Sequence, residues 1–252
     1  MKRIMKKVRH PFIVELLDDI KSQQNIFLII ELVRGGDLYD FITESGMFQS
    51  LHTKENFCMG HFVGIELMKH RKESYCPRQA CQFSYNLAAA LHYLHSFRII
   101  HRDIKPENLL VYSYPDETKI LKICDFGLAT EVRRSEKLSF ICGTATYVAP
   151  EIITGNGYGV EVDIWAAGII IYILLCGFPP FRSESGDQDD LFRIILGGEF
   201  EFPSPFWDDV DEQAKDLIIR ILNQNTGIRP IDLSIFFKGS LLFAGTIFRI
   251  FC

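Results

Sequence analysis

Residues 101–108 read His101-Arg102-Asp103-Ile104-Lys105-Pro106-Glu107-Asn108, and they are followed by Asp125-Phe126-Gly127 and then Ala149-Pro150-Glu151. These three short motifs, in this order, decide the fold. Asp103 is an acceptor-only carboxylate, suited to orient a hydroxyl and take its proton. Lys105 stands two residues on, so in an extended segment both side chains point to one side. Asn108 and Asp125 offer the hard oxygen atoms that Mg²⁺ prefers, the rest of its shell being filled by waters or phosphates. Gly127 lets the backbone turn after Asp125. Between the motifs, residues 109–112 and 119–124 read as two short strands around the turn Pro115-Asp116-Glu117. A hairpin there brings Asn108 and Asp125 together. A base, a cation and two metal ligands are the parts that phosphoryl transfer needs. Taken singly, each residue reads as a solvated loop charge; only the ordered set carries the inference.

Outward from this centre the pattern turns helical. Phe83, Leu87, Ala90, Leu91 and Leu94 recur at steps of three or four, one face of an amphipathic helix. Residues 165–178 are apolar on all sides, as a central buried helix is, and too short to cross a membrane. Residues 191–195 and 214–222 continue the helical pattern, the second after the start signal Asp211-Glu212. His92 and His95 read as packing or surface residues, and Trp207 as a loop anchor. The class is α+β, with a mainly α lower part.

These motifs resemble the catalytic domain of eukaryotic serine/threonine protein kinases, over residues 1–229. The resemblance implies an incomplete β-rich N-lobe remnant over 1–33 and a C-lobe over 34–229, with ATP and Mg²⁺ as cofactors. Asp103 takes the place of the catalytic base and Lys105 that of the phosphate-binding cation. Thr144, after Gly143, matches a residue that bonds to both. Asn108 and Asp125 match the metal ligands. The run 28–33 looks like the strand entering the hinge, where backbone groups of Glu31 and Val33 bind adenine and Ile30 is the gatekeeper. Asp37 matches a contact to ribose or to a substrate arginine, and Leu110 the floor under adenine. Glu107 matches an acidic position used for basic substrate residues. Met5 and Leu16 match a hydrophobic spine completed by His101 and Phe126, and Glu151 and Arg229 a buried ion pair. Residues 131–142 fall in the activation segment. There Arg102 is placed to hold a phosphate and Phe140 replaces a phosphorylatable Thr, leaving Ser139 or Ser135. The runs 147–151, 157–168 and 176–182 look most like the doublecortin-like kinases of the calmodulin-dependent-kinase group.

Three departures stand out. Aligned on His10-Pro11, Met1 falls where the family has a helix Glu, so the expectation is a chain truncated at its N-terminus. The Gly-rich loop, the strand Lys and that Glu are missing from these residues. The pattern Gly155-Asn156-Gly157-Tyr158-Gly159 follows Ala-Pro-Glu and reads as loop geometry, not a phosphate cradle. Residues 50–78 interrupt the resemblance with a segment of no clear period. Its Cys58, His61, His70 and Cys76, with Cys81 beyond, fit no standard zinc spacing, so the segment reads as a surface loop or intron-derived sequence. Residues 230–252 form an atypical apolar tail, broken by Asp232, Lys238 and Arg249, charges that a membrane span avoids.

Composition agrees. A chain of 252 residues with 48% hydrophobic content can bury a substantial core. A net charge of −5 argues against a general nucleic-acid binder and is compatible with basic protein substrates. Seven scattered cysteines fit a reducing cytoplasmic setting better than a disulfide framework. Two functions follow: a protein kinase whose turnover is impaired in these residues alone, or a non-catalytic kinase-like binding module.

Overall fold

The computed structural model describes residues 1–44, 77–133 and 136–233. Helix α1 (Lys2–Met5) is followed by an antiparallel pair, β1 (Leu16–Lys21) and β2 (Ile26–Ile30), and by α2 (Leu38–Glu44). Helix α3 (Pro77–Ser96) leads to β3 (Ile99–Ile100). The expected hairpin is β4 (Leu109–Ser113) against β5 (Lys119–Ile123), with Leu109 opposite Ile123. Strand β6 (Thr130–Glu131) pairs with β3. Helices α4 (Pro150–Thr154), α5 (Glu161–Cys176), α6 (Gln188–Gly197) and α7 (Glu212–Ile221) complete the lower part.

Periodicity decides what each helix buries. Phe83, Leu87, Ala90, Leu91 and Leu94 of α3 are all sealed from solvent. Helix α5 is buried from Val162 to Cys176, so it is the hub on which α3 and α7 pack. Gly168 makes one of these approaches possible, because a Cβ there would fall 2.3 Å from Ile221 Cγ2. Helices α6 and α7 begin at aspartates. Asp187 accepts from the Asp190 amide at 3.1 Å and Asp211 from the Gln213 amide at 2.7 Å, each satisfying an otherwise orphaned donor. Trp207 does anchor a loop: it packs against Tyr172 at 4.7 Å and Phe202 at 4.6 Å between ring centroids.

The N-terminal segment is better packed than the sequence predicts. Ile4, Met5, Val8, Ile13 and Leu16 are buried in the same core as the lower helices. Backbone bonds fix the join: Val14 donates to the Ile123 carbonyl and Ile123 to the Phe12 carbonyl, both at 2.9 Å. Exposure is confined to the β1–β2 pair and its flank, where Leu17, Ile20, Ile26, Phe27 and Leu32 are each more than half exposed. Strand β2 ends at Ile30, so Glu31 and Val33 lie beyond it rather than inside it. Helix α3 starts at Pro77, so the last two residues of the expected interruption belong to that helix; the remainder lies outside the described residues, with Cys58, His61, His70 and Cys76. The tail beyond Leu233 lies outside them as well.

Candidate active site

The catalytic turn is built by burying its frame and leaving its chemistry at the surface. Ile99 and Ile100 of β3 are fully buried, and the chain then reverses at Arg102, whose φ of 68° is in the left-handed region. A side chain rarely adopts that conformation without compensation. The compensation comes from Asp163 at the start of α5. Its Oδ2 accepts the His101 amide and its Oδ1 the Arg102 amide, both at 2.9 Å. His95 on α3 adds Nε2 to Oδ2 at 2.9 Å. Burial pushes the Asp163 carboxyl up, but the bonds and charge from His95 and His101 outweigh it and leave its pKa below the ordinary carboxylate value.

His101 is wholly buried and stacks edge-on against Phe126, ring centroids 5.1 Å apart. Met5 and Leu16 are buried in the same core cluster as Phe126. His101 Nε2 lies 3.0 Å from the Cys124 carbonyl, an acceptor, so Nε2 carries the proton and Nδ1 accepts the Asp103 amide at 3.4 Å. Burial lowers its pKa, against the opposing pull of Asp163, so the ring is neutral near pH 7.

Asp103, Lys105, Asn108 and Thr144 meet. Lys105 is extended (φ −158°, ψ 162°), the geometry that puts it on the Asp103 side. Its Nζ lies 3.3 Å from Asp103 Oδ2 and donates to Thr144 Oγ1 at 3.1 Å. The Thr144 hydroxyl donates to Asp103 Oδ1 at 3.4 Å. Asn108 Nδ2 donates to both the Asp103 carbonyl and Asp103 Oδ2, each at 2.8 Å. The nitrogen of Asn108 is therefore committed to Asp103, and Oδ1 is the atom that can meet a cation. The hairpin carries Asp125 to the same end, since Cys124 donates to the Asn108 carbonyl at 2.9 Å.

At Asp125 the expected division of labour is reversed. Asp125 itself has the positive φ, 53°, while Gly127 does not. Asp125 Oδ1 accepts the Gly127 amide at 2.9 Å, an internal bond that offsets the left-handed cost. Glycine serves by its size: a Cβ on Gly127 would lie 3.0 Å from that carboxylate oxygen.

The hinge candidates lie opposite. The Glu31 amide donates to the Glu15 carbonyl at 3.0 Å. Its carboxylate accepts the Glu15 amide at 3.0 Å and takes Lys122 Nζ at 2.7 and 2.9 Å. Sequence reasoning missed this clamp between hinge and hairpin. Asp37 Oδ1 caps α2 through the Asp40 amide at 2.8 Å, a second role not foreseen. Asp37 and Leu110 form a bridge, and Leu110 faces away from the buried Leu109 and Val111. Ile30, the last residue of β2, is 44% exposed. Around the catalytic turn, Tyr39 is raised above its ordinary pKa by burial and then by the charges of Glu107, Asp40 and Asp37, which gather three carboxylates at one place.

Below, Arg229 and Glu151 form the expected pair, bidentate at 2.6 and 2.9 Å, with Arg229 Nε also donating to the Asn223 carbonyl at 2.7 Å. The guanidinium lies 4.8 Å over the Trp165 ring. Removing one partner of such a buried pair costs about 3–5 kcal/mol. This pair fixes α4, and so Ala149-Pro150-Glu151, against α5.

The protein kinase domain family matches residues 2–231. The chain belongs to the protein kinase family. The relatives are serine/threonine kinases: it is 50% identical over 226 residues to serine/threonine-protein kinase DCLK2 of Mus musculus, covering 90% of this chain and 26% of that protein. It is 48% identical over 226 residues to serine/threonine-protein kinase DCLK1 of Rattus norvegicus, covering 90% and 46%. It is 43% identical over 229 residues to serine/threonine-protein kinase GL21140 of Drosophila persimilis, covering 90% and 26%. The chain thus spans about a quarter of the length of most of these relatives. The fold is the α+β protein kinase fold, with a reduced upper sheet. Among the described residues, no cluster of three or more His, Cys, Asp or Glu forms a metal site, and no helix is long and apolar enough to cross a membrane.

Proposed function

We propose that this chain is the larger part of an ATP-dependent serine/threonine protein kinase domain that transfers the γ-phosphate of ATP to protein hydroxyls. The observation that supports it most is the closed set Asp103–Lys105–Asn108–Thr144, in which every partner of Asp103 is held within 3.4 Å. Asp103 accepts the substrate hydroxyl and its proton. Asn108 and Thr144 hold that carboxylate in one orientation, and Lys105 places positive charge beside it. Bound Mg²⁺ neutralises phosphate charge. Asn108 Oδ1 and the Asp125 carboxylate would hold it, an all-oxygen pair that suits a hard cation. Backbone groups of Glu31 and Val33 would bind adenine, with Leu110 as its floor and Asp37 for the ribose.

The substrates are proteins. The carboxylates Asp37, Asp40 and Glu107, grouped around Tyr39 beside the catalytic turn, support a preference for basic residues near the acceptor. Among the described residues Cys124, Cys142 and Cys176 are free thiols, which supports a cytoplasmic setting. Residues 1–252 alone turn over negligibly, because no Gly-rich loop or strand Lys in them closes over the phosphates. One lost preorganised donor typically removes about 3 kcal/mol of barrier stabilisation, and here several are missing. The function is tested by fusing a family Gly-rich loop, strand Lys and helix Glu ahead of Met1 and supplying ATP, Mg²⁺ and a basic peptide. Phosphate appears on serine or threonine; a chimaera that binds nucleotide yet modifies no hydroxyl refutes the proposal.

A further inference from the structure

Arg102 is placed by sequence to receive a phosphate on the segment 136–143, yet that segment already meets Arg102 by other means. Arg102 Nε donates to the Leu128 carbonyl at 2.7 Å. The ring of Phe140, an exposed residue, lies over the guanidinium with 5.9 Å between Cζ and the ring centroid. Tyr158, 2% exposed, donates its hydroxyl to the Phe140 carbonyl at 2.5 Å. Leu138 and Tyr158 exchange two backbone hydrogen bonds of 2.9 Å each. Leu138 is thus fixed to Tyr158 by its backbone, and Phe140 by the hydroxyl and by Arg102.

We propose that Phe140 and Tyr158 are positioning residues that hold the peptide platform in place without a phosphate. A phosphate would bring about −1.5 to −2 charges and strong acceptors to the arginine. Here the Leu128 carbonyl and the negative face of the Phe140 ring meet the same cation. Phe140 has no hydroxyl to modify. The fixed run feeds directly into Gly143 and Thr144, so the Thr144 hydroxyl reaches Asp103 and Lys105 with no prior phosphorylation. Ser139 is exposed and precedes the fixed Phe140, so a phosphate there adds little order; Ser135 lies outside the described residues. The inference rests on the kinase reading for the role of this platform, not for the contacts themselves.

The test is hydrogen exchange by mass spectrometry on the phosphatase-treated 252-residue chain, comparing wild type with Tyr158→Phe, Phe140→Leu and Phe140→Tyr. In the wild type, residues 136–143 exchange slowly and at the same rate before and after phosphatase. Tyr158→Phe and Phe140→Leu raise exchange over 136–143 about fivefold, one hydrogen bond or cation–π contact each, while residues 161–176 stay unchanged. Phe140→Tyr, which keeps an aromatic face, exchanges like the wild type; a packing role alone would tolerate leucine equally. Free-peptide exchange in the wild type, loosening by phosphatase, or equal rates in Phe140→Leu and wild type would each overturn the proposal. The readout does not use turnover, so failure of phosphoryl transfer would sink the kinase reading and leave this result standing.

Discussion

Asp163 accepts the Arg102 amide at 2.9 Å, and Arg102 is the residue whose φ is 68°. A buried carboxylate on the central helix therefore stabilises a left-handed backbone at the base of the catalytic turn. The same carboxylate takes the His101 amide and His95, so three donors depend on one acceptor in the core.

Replacing that acceptor leaves two buried amides and a buried imidazole unpaired. Asp163→Ala is expected to lower unfolding free energy by about 3 kcal/mol, the cost of breaking a buried charged network from one side. Urea unfolding measures it; a loss below about 1 kcal/mol would show that the turn holds its shape without Asp163.

The pH dependence has a definite sign. Burial lowers the pKa of His101 below 6.5, and of His10 likewise, with Lys122 adding to the effect at His10. A histidine with a depressed folded pKa takes up protons more readily when unfolded. Stability is therefore full above pH 6.5 and falls as pH drops below it, by up to about 1.4 kcal/mol per pH unit for the fully buried His101. His101→Tyr, uncharged throughout, should flatten the slope between pH 6.5 and 5 in unfolding experiments. An unchanged slope means that His101 is not the titrating group.

Much of this site was legible in sequence because its parts are local. Asp103, Lys105 and Asn108 span one turn, and the hairpin that delivers Asp125 closes over a few residues. Helices α3 and α5 announced themselves by period and by apolar content. The pairs that brace the site were not legible. His95 and Asp163 are 68 residues apart, and Glu31 and Lys122 are 91 apart. Nothing in a single sequence marks two charges as partners over such distances. The burial of Ile4 and Val8 is equally hard to read, because their partners come from distant elements. Strands β3 and β6, two residues each, are too short to carry a period.

Residues 50–76 are expected to be dispensable, since they interrupt a continuous family pattern and lack an apolar period. A short polar linker in their place should leave the melting temperature unchanged or raised. The linker must end before Pro77, because Ala80 and Cys81 on α3 are already core residues. A marked fall in melting temperature would show that the segment packs, and a fall reversed by zinc would show that its cysteines and histidines bind metal.

The 252-residue chain assayed alone should show negligible transfer to a basic peptide and weak ATP affinity. On the proposed reading Asp125 and Asn108 would hold Mg²⁺ only together with phosphates, and no Gly-rich loop or strand Lys in these residues would grip the phosphates. Turnover in the range of about 1–100 s⁻¹ usual for kinases would show that the Gly-rich loop and strand Lys are not required here.

The most direct measurement places Asp103→Asn in the chimaera that supplies the upper lobe, and follows both ATP binding and peptide phosphorylation. Asparagine keeps the shape, and its one side-chain oxygen can still accept the bond from Asn108, but it cannot take a proton at neutral pH. The account predicts unchanged nucleotide affinity and turnover lowered by about two to four orders of magnitude. Near-normal turnover in that variant would contradict the assignment of Asp103 as the catalytic base.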